Sequence, residues 1–495
     1  MGRTESNWTD KALLALCVIS TLAPLCFRHV LTLDGPLHVQ HAAMLGHRLF
    51  GEAPGGHGVH VALEGIWPRA TDMVALPILK LFGPAMAERG LVVVSALLLL
   101  LACHAWMRTT GVTSYLFALM PSLCLGQLLV LGFFGFLWGV ALVLLAWARW
   151  ITWRRIGGNF PMAFVLCSAL ALWSHRSALQ LLLLMVATQE GIQFVRSRHV
   201  WKGALLLLIG AITAVGTLLA VVHTVPLEPV RAVEPWRDLW QLRPLLLMDG
   251  MAERPLLLAY GALLLGAIAL AARARWRSAW NASDALLPLA ALLLIGSLAV
   301  RTPMADLLYL ADRAQWLALL LLALWCAVNV PRSRIALALA AFALIVHAGR
   351  MLLLERRMAP FAEYHHDLMR AVQQLPERGV VAVAHRGDDW ILHNAGAHVS
   401  TVYNGMLLDK RGGLWYTRGT PEAERLRELI GGRMCEGYWL RHMERDPEER
   451  FVDAVLVIGP AEAVGDSCAI AFQPVLDRAM RTTFANGNAS VHVWR

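Results

Sequence analysis

The sequence predicts an α-helical polytopic membrane protein: about eleven transmembrane helices, a short re-entrant or interfacial helix, and a small C-terminal extracytoplasmic α/β domain. Three observations predict it. The 495 residues are 57% hydrophobic and only 16% charged, with a mean hydropathy of +0.54, whereas a soluble domain carries roughly 25% charged residues. Apolar runs such as 91–103 and 204–220 belong to stretches close to the roughly 20 residues that a bilayer requires. The segment after about 355 is polar and alternates between strand-like and helix-like patterns. The net charge of +9 does not point to nucleic acid. It is almost wholly arginine, gathered in short loops between apolar runs, as topology signals are.

The spans fall near 12–33, 86–107, 113–130, 132–150, 160–174, 177–193, 203–224, 254–272, 284–300, 313–330 and 333–354. The polar stretch ending at Lys11 precedes an apolar run with no small-x-small cleavage site, so it reads as an uncleaved first span. The apolar segment 73–82 is too short to cross and reads as re-entrant or interfacial. With the N-terminus in the cytoplasm, Arg108, Arg149, Arg154, Arg155, Arg196, Arg198, Lys202, Arg273, Arg275, Arg277, Arg332 and Arg334 all face inward, as the positive-inside rule requires. Loops 34–71, 174–177, 225–253 and 301–312 then lie outside, with everything after 354. This divides the chain into a membrane domain, 1–355, and an extracytoplasmic α/β domain, 356–495. Strands are expected at 380–384, 454–458 and 490–494, with a helix at 421–430. Six of the eight cysteines lie in spans, where they act as small hydrophobes, and the other two, Cys435 and Cys468, are disulfide candidates in an oxidising compartment.

The stretch Asp34-Gly35-Pro36-Leu37-His38-Val39-Gln40-His41 directly follows the first span. A carboxylate at the edge of a membrane is costly to hold there. Asp34 reads equally as an N-cap, with Pro36 in the first helical turn, and as a catalytic group. Further motifs follow in order: Gly132-Phe133-Phe134-Gly135-Phe136 at a span start, His175 at a span end, and Asp312-Arg313 opening a later span. In these residues the chain resembles the GT-C superfamily of polytopic glycosyltransferases, relatives of protein O-mannosyltransferases and of the lipid A aminoarabinose transferase. More narrowly it resembles uncharacterised bacterial GT-C-like proteins that show Asp-Gly-Pro-x-His, then Gly-Phe-x-Asn-Phe, a span-end His and a span beginning near Arg. Gly135 stands where that pattern has Asn, and Arg176 where it has Pro.

The resemblance implies a transferase of the bacterial inner membrane acting on its outer face. Asp34 would be the base or a metal-proximal acid, and His38 would assist. The partners implied are membrane lipids, a polyprenyl-phosphate-linked sugar donor, and a glycan, lipid or protein acceptor. The chemistry asks for the same set independently. An acceptor hydroxyl needs a base, and a leaving phosphate needs cations, for which the arginine fork is suited. His41, His175, Arg176, Arg231, Arg237, Arg243, Arg301, Arg313 and Arg350 are the candidates for substrate binding, with His347 beside Arg350 in the last span. For each arginine alone, a snorkelling or lipid-contacting side chain is the plainer reading. His57 and His60, in Gly56-His57-Gly58-Val59-His60, have a spacing open to a divalent metal, the one cofactor the sequence suggests, while a Gly-rich loop often carries His for no metal reason. Glu64 and Asp72 are further acids of the first loop, and Arg386, Asp388, Asp389 and Trp390 form a polar loop of the outer domain able to meet a sugar. Two other classes are weighed: a non-catalytic scaffold or lipid-handling protein, and a transporter. A transporter would carry charges at mid-depth in several spans and inverted repeats.

Overall fold

The computed structural model describes residues 2–50, 70–110, 114–196, 234–248, 250–276, 278, 281–299, 309–377, 379–387, 389–403, 406–408, 437–460, 462–463 and 467–495. The chain is a mostly helical, multi-pass membrane protein carrying a small C-terminal sheet domain. Five described helices are long and apolar enough to cross a membrane: Pro84–Thr110, Phe134–Ile156, Arg254–Arg275, Leu310–Asn329 and the helix that starts at Arg334. The expected span 203–224 and the expected helix 421–430 lie outside the described residues.

Contacts divide the chain into two compact units. The first comprises Met1–Cys26 and Val92–Arg357. Its apolar helices bury large side chains against one another, Trp106, Trp147 and Trp316 being fully enclosed. Two of its expected spans differ from continuous helices. The helix Gly2–Thr21 stops well before 33 and gives way to a 3-10 turn at Ala23–Cys26. Pro24 explains the stop, because a proline removes a donor and crowds the preceding turn. The stretch 113–130 is a chain of short pieces, Tyr115–Leu119, Met120–Cys124 and Gln127–Val130. Pro121 and Gly126 sit where the pieces begin.

The second unit comprises Phe27–Leu91 and Met358–Arg495. Within it, helix Gly35–Phe50 packs on Ala70–Phe82 and on the 3-10 helix Trp390–Thr401. Gly83, at φ 83, lets Ala70–Phe82 turn into the helix Pro84–Thr110 across one residue. The C-terminal part is a five-stranded mixed sheet: β1 (Val380–His385), β2 (Met406–Leu408), β3 (Ala454–Ile458), β4 (Met480–Ala485) and β5 (Ala489–Trp494). Its order is β2-β1-β3-β5-β4, with β1 parallel to β2 and β3, and β5 antiparallel to β3 and β4. The central strand β3, Ala-Val-Leu-Val-Ile, is buried throughout, as a strand covered on both faces must be. Leu456, Ile458 and Val491 pack under helix Phe361–Val372, while Val455 and Val457 pack with Phe472 and Trp439 on the opposite face. The expected strands at 380–384, 454–458 and 490–494 thus appear, and two more, β2 and β4, close the sheet.

Candidate active site

In the second unit, Asp34 stands immediately before the helix Gly35–Phe50, and its carbonyl accepts the first helical bond from the His38 amide at 3.2 Å. Pro36 fits the first turn because its missing N–H would have had no partner there. The Asp34 carboxylate is oriented by a residue far along the chain. Asn394, fully buried on the 3-10 helix, donates from Nδ2 to Asp34 Oδ1 at 3.0 Å and to the Leu33 carbonyl at 2.8 Å. Asp34, His38 and His41 lie at i, i+4 and i+7, on one side of the helix.

His38 is buried and its Nδ1 lies 3.3 Å from Asp72 Oδ1, in the first turn of Ala70–Phe82. Thr71 Oγ1 donates to the same Asp72 oxygen at 3.3 Å and lies 3.4 Å from His38 Nδ1. A carboxylate against one ring nitrogen fixes which nitrogen of the imidazole carries a proton. Asp72, one of the two loop acids noted in the sequence, therefore belongs to the His38 group, while Glu64 lies outside the described residues.

A second carboxylate holds the turn that carries Asp34. Glu88, with no exposed surface, accepts at Oε1 from the Thr32 amide at 2.5 Å and from Thr32 Oγ1 at 2.8 Å. Thr32 Oγ1 in turn accepts from the Gly35 amide at 3.0 Å. The other Glu88 oxygen, Oε2, lies 3.1 Å from His398 Nε2, one turn beyond Asn394. His398 stacks edge-on against His365 at 5.4 Å between ring centroids, and His365 lies 5.0 Å from His29. Burial, reinforced by the charges of His365, His398 and Arg89, lowers His29 to about 3, so that it is neutral at physiological pH.

The first unit gathers the other motif residues. Gly132, at φ 77, turns the chain into the helix Phe134–Ile156. The Arg313 guanidinium lies over Phe133 at 4.3 Å and near Phe136 at 5.4 Å. Phe136 meets the His175 ring edge-on at 5.5 Å, and His175 Nδ1 is 2.7 Å from Ser177 Oγ. Phe-x-x-Phe, His and Arg, spread over positions 133–313, thus form one cluster. Gly135 has a reason to depart from Asn: a Cβ there would stand 2.7 Å from the Ser174 carbonyl. Beside this cluster, Arg243 donates to Asp238 at 3.1 Å and lies 3.8 Å from Asp312. Burial works against the charge of Arg243, but Asp312 and Asp238 outweigh it and raise its affinity for the proton. Leu242 and Tyr309, the described non-glycine residues at positive φ, flank these arginines, and strained backbone of this kind gathers at functional sites.

The remaining candidates are placed differently. Arg237 is exposed and pairs with Glu234 at 3.3 Å. Arg350 is fully buried and donates to the carbonyls of Ser122, at 2.9 Å, and Leu245, so it clamps the bundle, while His347 lies 3.3 Å from Ser122 Oγ. Arg386 donates to Gln473 at 2.8 Å, and Asp389 precedes the 3-10 helix that Trp390 opens. Arg176 opens the helix Arg176–Arg196. Arg231, Arg301, His57, His60, Asp388 and Cys435 lie outside the described residues, and Cys468 is disulfide-bonded. Among the described residues, no group of three His, Cys, Asp or Glu side chains is disposed to hold a metal ion. Glu88, Asn394, His398 and Thr32 are new to the site. Only Glu88 left a signal, as an acid beside Arg89 one turn into a long, mostly apolar helix.

No family model matches the chain, and no curated protein matches it. Among solved structures, the chain is similar to the arabinofuranosyltransferase AftD from Mycobacteria, over 98% of its own length and 40% of that chain, at 11% identity and a TM-score of 0.52. It also aligns with ArnT from Cupriavidus metallidurans. The apo form matches over 99% of this chain and 98% of that one, at 11% identity and a TM-score of 0.43. The form bound to undecaprenyl phosphate matches over 98% of each, at 13% and 0.40. The likeness is one of fold, and the fold is GT-C-like.

Proposed function

We propose that the protein is a membrane glycosyltransferase that moves a sugar or related group from a polyprenyl-phosphate carrier to an acceptor on the outer face of the membrane. The observation that carries this reading is the Asp34 carboxylate, buried hydrogen bonds orienting it at a helix start in a chain of GT-C-like fold. The acceptor hydroxyl oxygen attacks the anomeric carbon. The bond from that carbon to the phosphate oxygen breaks, and the lipid phosphate leaves with the electron pair. Asp34 takes the hydroxyl proton, as a carboxylate positioned for general base catalysis does. His38, its tautomer set by Asp72, orients the acceptor or relays the proton onward. Arg313, its guanidinium held by two phenylalanine rings, supplies a cation for the lipid phosphate, and Arg243 adds charge in the same unit. Undecaprenyl phosphate, a lipid phosphate of this class, is a suitable probe.

The test is turnover of undecaprenyl-phosphate-linked pentose and hexose probes by the protein in nanodiscs, followed by release of undecaprenyl phosphate. Wild type is expected to turn over at least one probe, with Asp34→Asn and Asp34→Ala lowered by about a hundredfold or more. Folded Asp34→Ala protein turning over at the wild-type rate refutes the reading.

A further inference from the structure

We propose that Glu88 is the positioning carboxylate of the site: it clasps the turn that carries Asp34 and, with Asn394, sets where the Asp34 oxygens point. The proposal rests on Asp34 being the catalytic base, as proposed above. Four observations converge on it. Glu88 is completely buried, and an ionised carboxylate cannot stay so without several partners. Its partners are the Thr32 amide and hydroxyl on one side and His398 on the other. The Thr32 hydroxyl receives the Gly35 amide, so the bonds run from Glu88 into both residues that flank Leu33 and Asp34. The 3-10 helix that presents His398 to Glu88 presents Asn394 to Asp34 one turn earlier. One rigid segment thus holds both the clasp and the base.

The geometry also excludes a reacting role for Glu88 itself. Its Oε1 accepts two bonds, its Oε2 faces an imidazole, and neither oxygen is exposed. Its work is therefore spatial. A base must lie within hydrogen-bonding reach of the proton it takes, and a misplacement of about 1 Å costs on the order of a hundredfold in rate. Three histidines continue from the clasp, His398, His365 and His29, in ring contact rather than through hydrogen bonds. Of the three, His398 meets the carboxylate.

Position and charge separate on substitution. In Glu88→Gln the amide oxygen still accepts from Thr32, and the amide nitrogen keeps the place of Oε2 beside His398. In Glu88→Ala both arms are lost. The experiment uses the full chain in nanodiscs, with kcat and KM for the undecaprenyl-phosphate-linked probes and hydrogen exchange of the Thr32 and Gly35 amides. Glu88→Ala is expected to speed exchange at both amides at least about tenfold and to lower kcat by on the order of a hundredfold, with KM within about twofold. Glu88→Gln is expected to stay close to wild type in both. Thr32→Val, which removes only the hydroxyl, shifts both readouts the same way and serves if Glu88→Ala does not fold.

Unchanged exchange in Glu88→Ala overturns the proposal, whatever the activity. Glu88→Gln as inactive as Asp34→Asn, with wild-type exchange, also overturns it, because Glu88 is then a reacting acid. If Asp34→Ala retains full turnover, the transferase mechanism fails on its own, and the exchange data still decide whether the clasp exists.

Discussion

Gly35→Ala offers a test of the Asp34 turn that needs no substrate. Gly35 has no positive φ, so a side chain is not barred by backbone conformation. It is barred by space: a Cβ there would lie 2.2 Å from Thr32 Oγ1 and 2.3 Å from Glu88 Oε1, with Glu88 Cδ at 2.7 Å. The two side chains that must give way are the two that bond each other. Moving Glu88 aside breaks its bonds from the Thr32 amide and hydroxyl, each worth about 1.5–3 kcal/mol when the acceptor is charged. It also leaves a buried carboxylate short of partners. Alanine in the first helical turn returns at most about 1 kcal/mol of propensity. The net cost is about 2–5 kcal/mol, a large part of the 5–15 kcal/mol typical of a folded domain. The expected outcome is a folded protein whose second unit melts several degrees lower, with faster exchange at the Thr32 and Gly35 amides. Gly266→Ala is the control, since a Cβ there meets nothing within 4 Å. Equal melting and equal exchange in Gly35→Ala and Gly266→Ala would refute the close packing argued for this turn.

Three further outcomes follow from the two units. Arg313→Ala should weaken retention of undecaprenyl phosphate in native mass spectrometry by about tenfold or more, with Arg313→Lys intermediate because it keeps charge but not the planar stack on Phe133; equal retention by all three proteins removes Arg313 from the phosphate site. Gly135→Asn should destabilise the bundle by about 1–3 kcal/mol, because the new Cβ meets the Ser174 backbone and not a yielding side chain; an unchanged melting temperature would contradict the packing. For pH, His29 falls from an unfolded value near 6.5 to about 3. Between those values the unfolded chain binds the extra proton, so stability rises with pH. It should be complete above about pH 6.5 and be lost progressively as pH falls towards 3, and His29→Gln should flatten this part of the denaturation profile. A wild-type profile with no slope across that window would show that burial does not hold His29 neutral.

The membrane part of the fold was legible because bilayer physics writes itself into composition. Long runs of Leu, Ala and Val have few other uses, and the helices Pro84–Thr110, Arg254–Arg275 and Leu310–Asn329 lie close to where hydropathy put them. The largely buried strands β1 and β3 were legible for the same reason. Edge strands β2 and β4 were not. Met-Leu-Leu is too short to show a period, and Met-Arg-Thr-Thr-Phe-Ala is exposed on most of its length, so neither carries an apolar signature. Among the candidates, Asp34 and His38 in one unit, and His175 and Arg313 in the other, stood out because their short motifs sit at the ends of apolar runs. Arg350 shows the limit of that logic. A buried arginine in a span marks a polar partner, but sequence cannot say whether the partner is a ligand or a carbonyl, and here it is carbonyls.

Glu88 marks a further kind of signal, one that lies in a cost. A carboxylate in the first turns of a long apolar helix demands compensation that its own helix cannot supply, since the helix's amides are committed to the helix itself. The compensation must come from elsewhere in the chain, and the residues able to give it are donors: an amide, a hydroxyl, an imidazole. Thr32 lies 56 positions away and His398 lies on a 3-10 helix near the far end of the chain, yet both meet the same carboxylate. No periodicity links such residues, so they are invisible until the chain is folded. A carboxylate one turn into that helix can be read from the sequence, but which donors meet it cannot. A buried charge that costs several kcal/mol to keep is best explained by what it fixes in place, and what Glu88 fixes is the backbone on either side of Asp34.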